Sequence, residues 1–159
     1  MKLDWMGEYR EVVEALVHYC NIYAAAYKKE RMNFQGIRFS YAQIQVLEYL
    51  LENEEKQQNM STIANRLGII RSNFTKIVSR LVEKGLLEKS YVPGSRKAML
   101  IKVTDTGRAL YEAYSKNILD RHFSRMFAKL EEIPREFYPL ISDALYDALH
   151  GSGYPREWK

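Results

Sequence analysis

Arg71, Ser72, Asn73, Thr75, Lys76, Ser79 and Arg80 stand within one short stretch of the chain. Each carries a hydrogen-bond donor, and three carry a positive charge. Guanidinium, ammonium, hydroxyl and amide groups of this kind donate to phosphate oxygens and to base edges. A second basic pair, Arg96 and Lys97, follows Pro93-Gly94-Ser95, with no acid beside it. Both groups suit recognition of a polyanion rather than bond making. The lone thiol, Cys20, lies in His18-Tyr19-Cys20-Asn21-Ile22-Tyr23. One cysteine excludes a disulfide framework and a cysteine-based zinc site, which need several. His18, His122 and His150 show no helical His-x3-His spacing, so no metal is expected. There is no Gly-rich phosphate loop, nucleophile elbow or paired-carboxylate motif. Neither a catalytic residue nor a cofactor is therefore expected, and the chain does not read as an enzyme.

The elements that must position these residues follow from periodicity and punctuation. Residues 5–33 read as one long helix, with Tyr9, Val12, Leu16, Cys20 (or Tyr19), Tyr23 and Tyr27 along one face. That stripe is wider than a small domain covers, so part of it is expected to meet another chain. Ser40-Tyr41-Ala42-Gln43 is a capping box opening a helix to about Glu52. Asn59 caps a short helix that ends at Gly68, where a left-handed residue is wanted. A further helix, opened by Arg71 or Ser72, runs to Lys84 and is closed by Gly85. Two helices over about 60–67 and 71–84, joined by a Gly-bearing turn, have the shape of a helix-turn-helix. In the second, Phe74, Ile77, Val78 and Leu81 form the apolar stripe, and the seven donors take the other face. A hairpin follows, with strands 86–92 and 98–103 and a basic tip. Thr104 caps a helix to about Leu130, and a last helix reaches His150, starting late or kinked at Pro139. Its apolar face is Leu140, Ile141, Ala144, Leu145, Ala148 and Leu149.

The whole chain of 159 residues has a net charge of +4, too small to name a partner. Its distribution is more telling. Residues 61–103 hold nine bases and two acids, a net of +7, and the rest of the chain is at −3. A basic centre between acidic ends points to nucleic acid. No apolar run approaches the roughly 18 residues of a membrane helix, and no signal peptide opens the chain. The cytoplasm is the expected compartment, with no membrane partner, and a single cysteine fits a reducing environment.

Three segments carry a resemblance. They are Ile63-Ala64-Asn65-Arg66-Leu67-Gly68, the run from Ser72 through Gly85 to Lys89, and Leu100-Ile101-Lys102-Val103-Thr104-Asp105-Thr106-Gly107. In this order and spacing the chain resembles the MarR family of bacterial winged-helix transcription regulators, over about residues 8–150. The resemblance implies a mainly α fold with a small β-hairpin wing. A winged helix-turn-helix lobe at 38–104 would join a helical dimerisation region formed by 1–37 and 105–150, leaving 151–159 as a tail. It implies a homodimeric repressor that binds a pseudo-palindromic site on double-stranded DNA and is released by a small ligand. The 71–84 helix would be the recognition helix, and Arg96 the first choice to enter the minor groove. The family's wing usually shows Asp, a basic residue and Arg, where this chain has Ser95, Arg96 and Lys97. Just before the recognition helix it has Ile70 in place of the usual Ser or Thr, so Ser72 or water would cap that end.

The family's ligand pocket lies where its dimer helices meet the winged lobe. Here that implicates His18, Tyr19, Tyr23 and Tyr41, and a phenolic or aromatic effector. Aromatic residues at helical spacing are more often core or interface packing. Peroxide sensors of the same family carry a reactive Cys on the first helix, which makes Cys20 the residue of a redox alternative, with Tyr23 and Tyr41 as partners. A cysteine on an apolar face is more often simply packed. A winged helix that binds protein rather than DNA is the other alternative, though it would have no use for a basic helix face and a basic wing together.

Overall fold

The computed structural model describes residues 4–91, 99–118 and 123–150. Its contacts divide the chain into two units, Met1–Gln45 and Val46–Lys159.

In the first unit a short 3-10 turn, Asp4–Tyr9, leads into α1, Arg10–Tyr27. The expected 5–33 helix is thus shorter at both ends. Gly7, at φ 49° and ψ −132°, breaks its start. Beyond Tyr27 the run Lys28-Lys29-Glu30-Arg31 offers no apolar residue to continue the stripe. Met32, Phe34, Ile37 and Phe39 then recur at strand rather than helix spacing around the turn. They form a hairpin that the helix reading overlooked: β1, Met32–Phe34, pairs antiparallel with β2, Ile37–Phe39. Gln35 and Gly36 close it in two residues, both at positive φ (49° and 85°), as a primed hairpin turn requires. The Gly36 amide donates to Asn33 Oδ1 at 3.0 Å. The Arg38 guanidinium donates through Nε and Nη2 to the Glu30 carbonyl, at 3.2 and 2.9 Å. The unit ends in the first turn of α2, Tyr41–Glu52. There the glutamine half of the capping box forms, the Ser40 amide donating to Gln43 Oε1 at 3.1 Å.

The second unit holds the remainder of α2, then α3 (Met60–Arg66), α4 (Arg71–Glu83), β3 (Leu87–Tyr91), β4 (Met99–Val103) and α5 (Asp105–Ile118). After them come α6 (Ser124–Leu130) and α7 (Tyr138–His150). The single helix expected from 104 to 130 is seen as α5 and α6, with 119–122 outside the described residues. Pro139 takes the second position of α7, where its missing amide costs nothing. Phe74, Leu47, Leu81, Leu86, Leu110, Val46, Val78 and Ile63 are almost fully buried and make the core of this unit. β3 and β4 pair antiparallel, from Leu87↔Val103 out to Tyr91↔Met99. The fold is thus mainly helical with the β3–β4 hairpin that the sequence implies, and a second hairpin, β1–β2, that it did not.

Candidate nucleic-acid interface

Two residues punctuate α3, and the second sets the turn into α4. Asn59 accepts from the amides of Ser61 and Thr62 at 3.0 Å and so starts α3. Gly68, at φ 63°, ends it, and the Ile69 amide returns to the Ala64 carbonyl at 2.9 Å. Ile69 is buried, so α4 leaves the turn at a fixed point.

Burial decides which way α4 faces. Phe74, Ile77, Val78 and Leu81 are all buried, each contributing about 1.5–3 kcal/mol of transfer free energy. Differences in helix propensity among ordinary residues stay below about 0.7 kcal/mol, so the apolar stripe sets the rotation. The other face must then be presented outward. Arg71, Ser72, Thr75, Lys76 and Arg80 are exposed, and Asn73 and Ser79 half-buried. Asn73, Lys76 and Arg80 share a ridge at i, i+3, i+7. The Thr75 hydroxyl donates to the Arg71 carbonyl at 3.0 Å. It therefore offers its methyl group and lone pairs outward rather than a donor. The N-cap of α4 is Ile70, with no side-chain hydrogen bond, so Ser72 does not cap the helix.

The C-terminal end of α4 is tied to the wing and to α5. Gly85, at φ 69°, closes α4, and the Leu86 amide donates to the Leu81 carbonyl at 2.9 Å. The Thr104 hydroxyl donates to the Gly85 carbonyl at 2.6 Å and accepts from the Gly107 amide at 3.1 Å. One side chain thus caps α5 and fixes the end of α4. Gly107 has a physical reason as well: a Cβ there would lie 2.3 Å from the Leu86 carbonyl oxygen and 2.9 Å from Val103 Cγ1.

Strand alternation places Lys89 and Tyr91 on one face of the wing and Lys102 on the other, opposite Glu88. Lys89, Tyr91 and Lys102 are exposed and were not among the DNA contacts expected from sequence, although alternation had already set Lys102 on the face opposite Met99, Ile101 and Val103. Alternation within the strands was the feature that could have found them. Arg96 and Lys97 lie outside the described residues.

The proposed effector residues fall in the first unit. Tyr19 stacks on Tyr23 with ring centroids 5.9 Å apart, and Tyr23 meets Tyr41 at 6.3 Å and Tyr27 at 5.3 Å. The Tyr27 hydroxyl donates to Gln45 Oε1. Burial, and then neighbouring Tyr23, push the Tyr27 hydroxyl up to about 12. His18 is exposed. Cys20 is exposed, not packed. Among the described residues no group of three His, Cys, Asp or Glu side chains is placed to hold a metal, and no helix is long and apolar enough to cross a membrane.

Residues 38–98 match the sequence pattern of the MarR family. No curated protein matches the chain in sequence. Among solved structures, the transcriptional repressor CouR, bound to a 23-mer DNA duplex, is 25% identical with a TM-score of 0.58, over 96% of this chain and 99% of its own. The PcaV transcriptional regulator of Streptomyces coelicolor, solved with its natural ligand, is 19% identical with a TM-score of 0.61, over 96% and 99%. FabT of Streptococcus pneumoniae, in complex with DNA, is 14% identical with a TM-score of 0.61, over 92% and 98%. The MarR family pattern thus covers the helix-turn-helix and the first wing strand, in a fold shared with transcriptional regulators solved on DNA.

Proposed function

We propose that the protein is a repressor that binds a two-fold pseudo-palindromic operator as a homodimer and leaves it when a small ligand binds. The observation that carries this reading is the polarity of α4: four apolar side chains buried, and Arg71, Ser72, Lys76 and Arg80 turned outward. α4 enters the major groove, where Lys76, Arg80 and Arg71 meet phosphates or guanine edges and Ser72, Asn73, Thr75 and Ser79 set the register. Arg96, with Lys97, reaches the adjacent minor groove from the wing. Two copies present their α4 helices about 34–36 Å apart, one turn of DNA. The stripes of α1, α6 and α7 supply the dimer contact. Repression is supported by the likeness to CouR, and the binding of a ligand by the likeness to PcaV, solved with its natural ligand. Tyr19, Tyr23, Tyr41 and His18 are the residues offered to an aromatic or phenolic effector.

Fluorescence anisotropy against DNA from upstream of the protein's own gene tests the interface. Wild type should bind with an affinity that falls steeply with salt, by a slope of about −0.9 per phosphate contact. Arg80→Ala should weaken binding and flatten that slope by about one contact. Unchanged affinity and slope would remove α4 as the reading face and leave the protein-interaction alternative standing.

A second reading is favoured by the exposure of Cys20. In it a peroxide oxidises the Cys20 thiolate to the sulfenic acid, is itself reduced to an alcohol or water, and the protein releases DNA. Peroxide-driven release that persists in Cys20→Ser would eliminate this reading.

A further inference from the structure

Between α2 and α5, Ile70 at 72% and Tyr91 at 62% are the large apolar side chains left exposed among the described residues. Both fall in the basic stretch 61–103. Ile70 is exposed although its backbone is pinned on either side. The preceding Ile69 is buried, and its amide donates to the Ala64 carbonyl at 2.9 Å. The Ile70 carbonyl accepts the amides of Asn73 and Phe74, each at 2.9 Å, and Phe74 is fully buried. With Ile69 and Phe74 both in the core, the Ile70 side chain is held outward.

This choice of residue does nothing for the helix it opens. Ile70 is the N-cap of α4, at φ −57° and ψ 132°, and makes no side-chain hydrogen bond. Ser, Thr, Asp or Asn at an N-cap accepts from one of the first amides of the helix, and Ile has no atom to do so. The position thus forgoes a cap and leaves an apolar side chain in water. Local rules are broken in this way where function requires it.

The surroundings define what covers the side chain. Arg71, Lys76 and Arg80 are exposed on the outward face of the same helix. The 61–103 stretch holds nine bases against two acids. A complementary surface is therefore anionic at its rim and apolar at its centre. The major groove at a thymine is such a surface, with phosphates along its edges and the C5 methyl group on its floor. A recognition helix sets its N-terminal residues against base edges, and Ile70 stands at that end of α4. A second copy of this basic region would instead be repelled.

We propose that Ile70 is a specificity-determining residue that packs on the C5 methyl group of a thymine in the major groove. The inference rests on the reading of α4 as the helix that enters that groove, and adds which base is selected there. Cytosine presents an amino donor and no methyl group at the same edge, so an apolar contact separates the two pyrimidines. A β-branched side chain has few rotamers to lose on docking, so the contact costs little ordering. Thr75, whose hydroxyl donates to the Arg71 carbonyl, also carries a methyl group on this face, and the test must separate the two.

DNA from upstream of the protein's own gene is amplified with thymidine or with 2′-deoxyuridine, which lacks only the C5 methyl group. Binding is read by fluorescence anisotropy. Wild type should prefer the thymidine duplex by about fourfold for each methyl group contacted. Ile70→Ser should lower that preference by about fourfold per half-site. By capping α4 it should also raise the thermal midpoint by about 2–4 °C. Ile70→Val should keep most of the preference. A purely structural role for Ile70 predicts the opposite pairing for Ile70→Ser, a lower midpoint with equal loss on both duplexes, and that result overturns the inference. So does a preference unchanged in Ile70→Ser, which passes the methyl contact to Thr75 or another residue. A shift of Ile70→Ser toward monomer in sedimentation equilibrium overturns it as well, making Ile70 a contact between copies. Failure of wild type to bind the thymidine duplex overturns the α4 reading and this inference together. Arg80-dependent binding without a thymidine preference overturns this inference alone.

Discussion

At the residue scale, glycine and threonine do as much for the interface as the basic side chains do. Gly107 looks misplaced by helix propensity, because propensity describes an isolated helix. The carbonyl of Leu86 and the side chain of Val103 occupy the space where its Cβ would be. Gly107→Ala should therefore destabilise the second unit by about 1–3 kcal/mol, the usual cost of overpacking. An alanine in an open helix would stabilise instead by about 1 kcal/mol. Urea denaturation decides between the two signs. The donors of α4 were fully legible in the sequence, since their spacing against the apolar stripe leaves one outward face. Thr75 was legible only as a hydroxyl. That its proton goes to the Arg71 carbonyl is a matter of rotamer, and required coordinates.

At the scale of elements, punctuation residues were reliable guides throughout, whereas apolar periodicity served α4 and misled beyond Tyr27. Asn59, Gly68, Gly85 and Thr104 all stand where their chemistry puts them, because each satisfies a local backbone need at a helix end. The 5–33 helix failed at the hairpin, where Gln35-Gly36 is a less familiar turn pair than Asn-Gly and the strands are three residues each. α1 ends near Tyr27, whose hydroxyl is anchored to Gln45 in the first turn of α2. That anchor has a pH signature. A tyrosine in the unfolded chain titrates near about 10, whereas in the folded protein burial, and then Tyr23, raise Tyr27 to about 12. The folded state thus holds the proton more tightly. The stabilisation is complete below the unfolded value and is lost as pH rises through the folded one. Tyr27→Phe should cost about 0.5–1.5 kcal/mol near neutrality, where the hydrogen bond is intact. It should also reduce the fall in thermal midpoint between pH about 10 and about 12. Tyr41 and Tyr111 are raised as well, mainly by burial, so some alkaline loss should persist in the variant.

At the scale of the whole molecule, each unit leaves large apolar side chains exposed. α1 buries no residue, and Tyr9, Val12 and Ile22 are 66, 69 and 60% exposed. Phe127, Leu140 and Leu145 on α6 and α7 are exposed too. Soluble monomers rarely leave contiguous apolar patches of more than a few hundred Å² open to water. A second copy of the chain is the proposed cover, because a two-fold dimer also presents two α4 helices to one DNA site. Sedimentation equilibrium should give a mass of about twice the chain's 18.7 kDa. Val12→Asp should shift the equilibrium toward monomer and weaken operator binding with it. A monomeric wild type that bound DNA at full affinity would exclude this arrangement.

The sequence by itself determined the family resemblance, the helix-turn-helix with its outward basic face, the hairpin wing and the concentration of positive charge between 61 and 103. All of these are local: they follow from apolar spacing, helix-end chemistry and composition, which operate over a few residues at a time. Only the tertiary structure decided why residue 107 must be glycine, where the tyrosines of α1 find their ring partners, and that a cavity lies between the 53–58 segment and β4. These depend on groups far apart in the chain, such as Leu86 with Gly107 and Glu54 with Arg108. Their distances are set by how the buried side chains of the second unit pack, and no periodicity in the sequence encodes that packing directly.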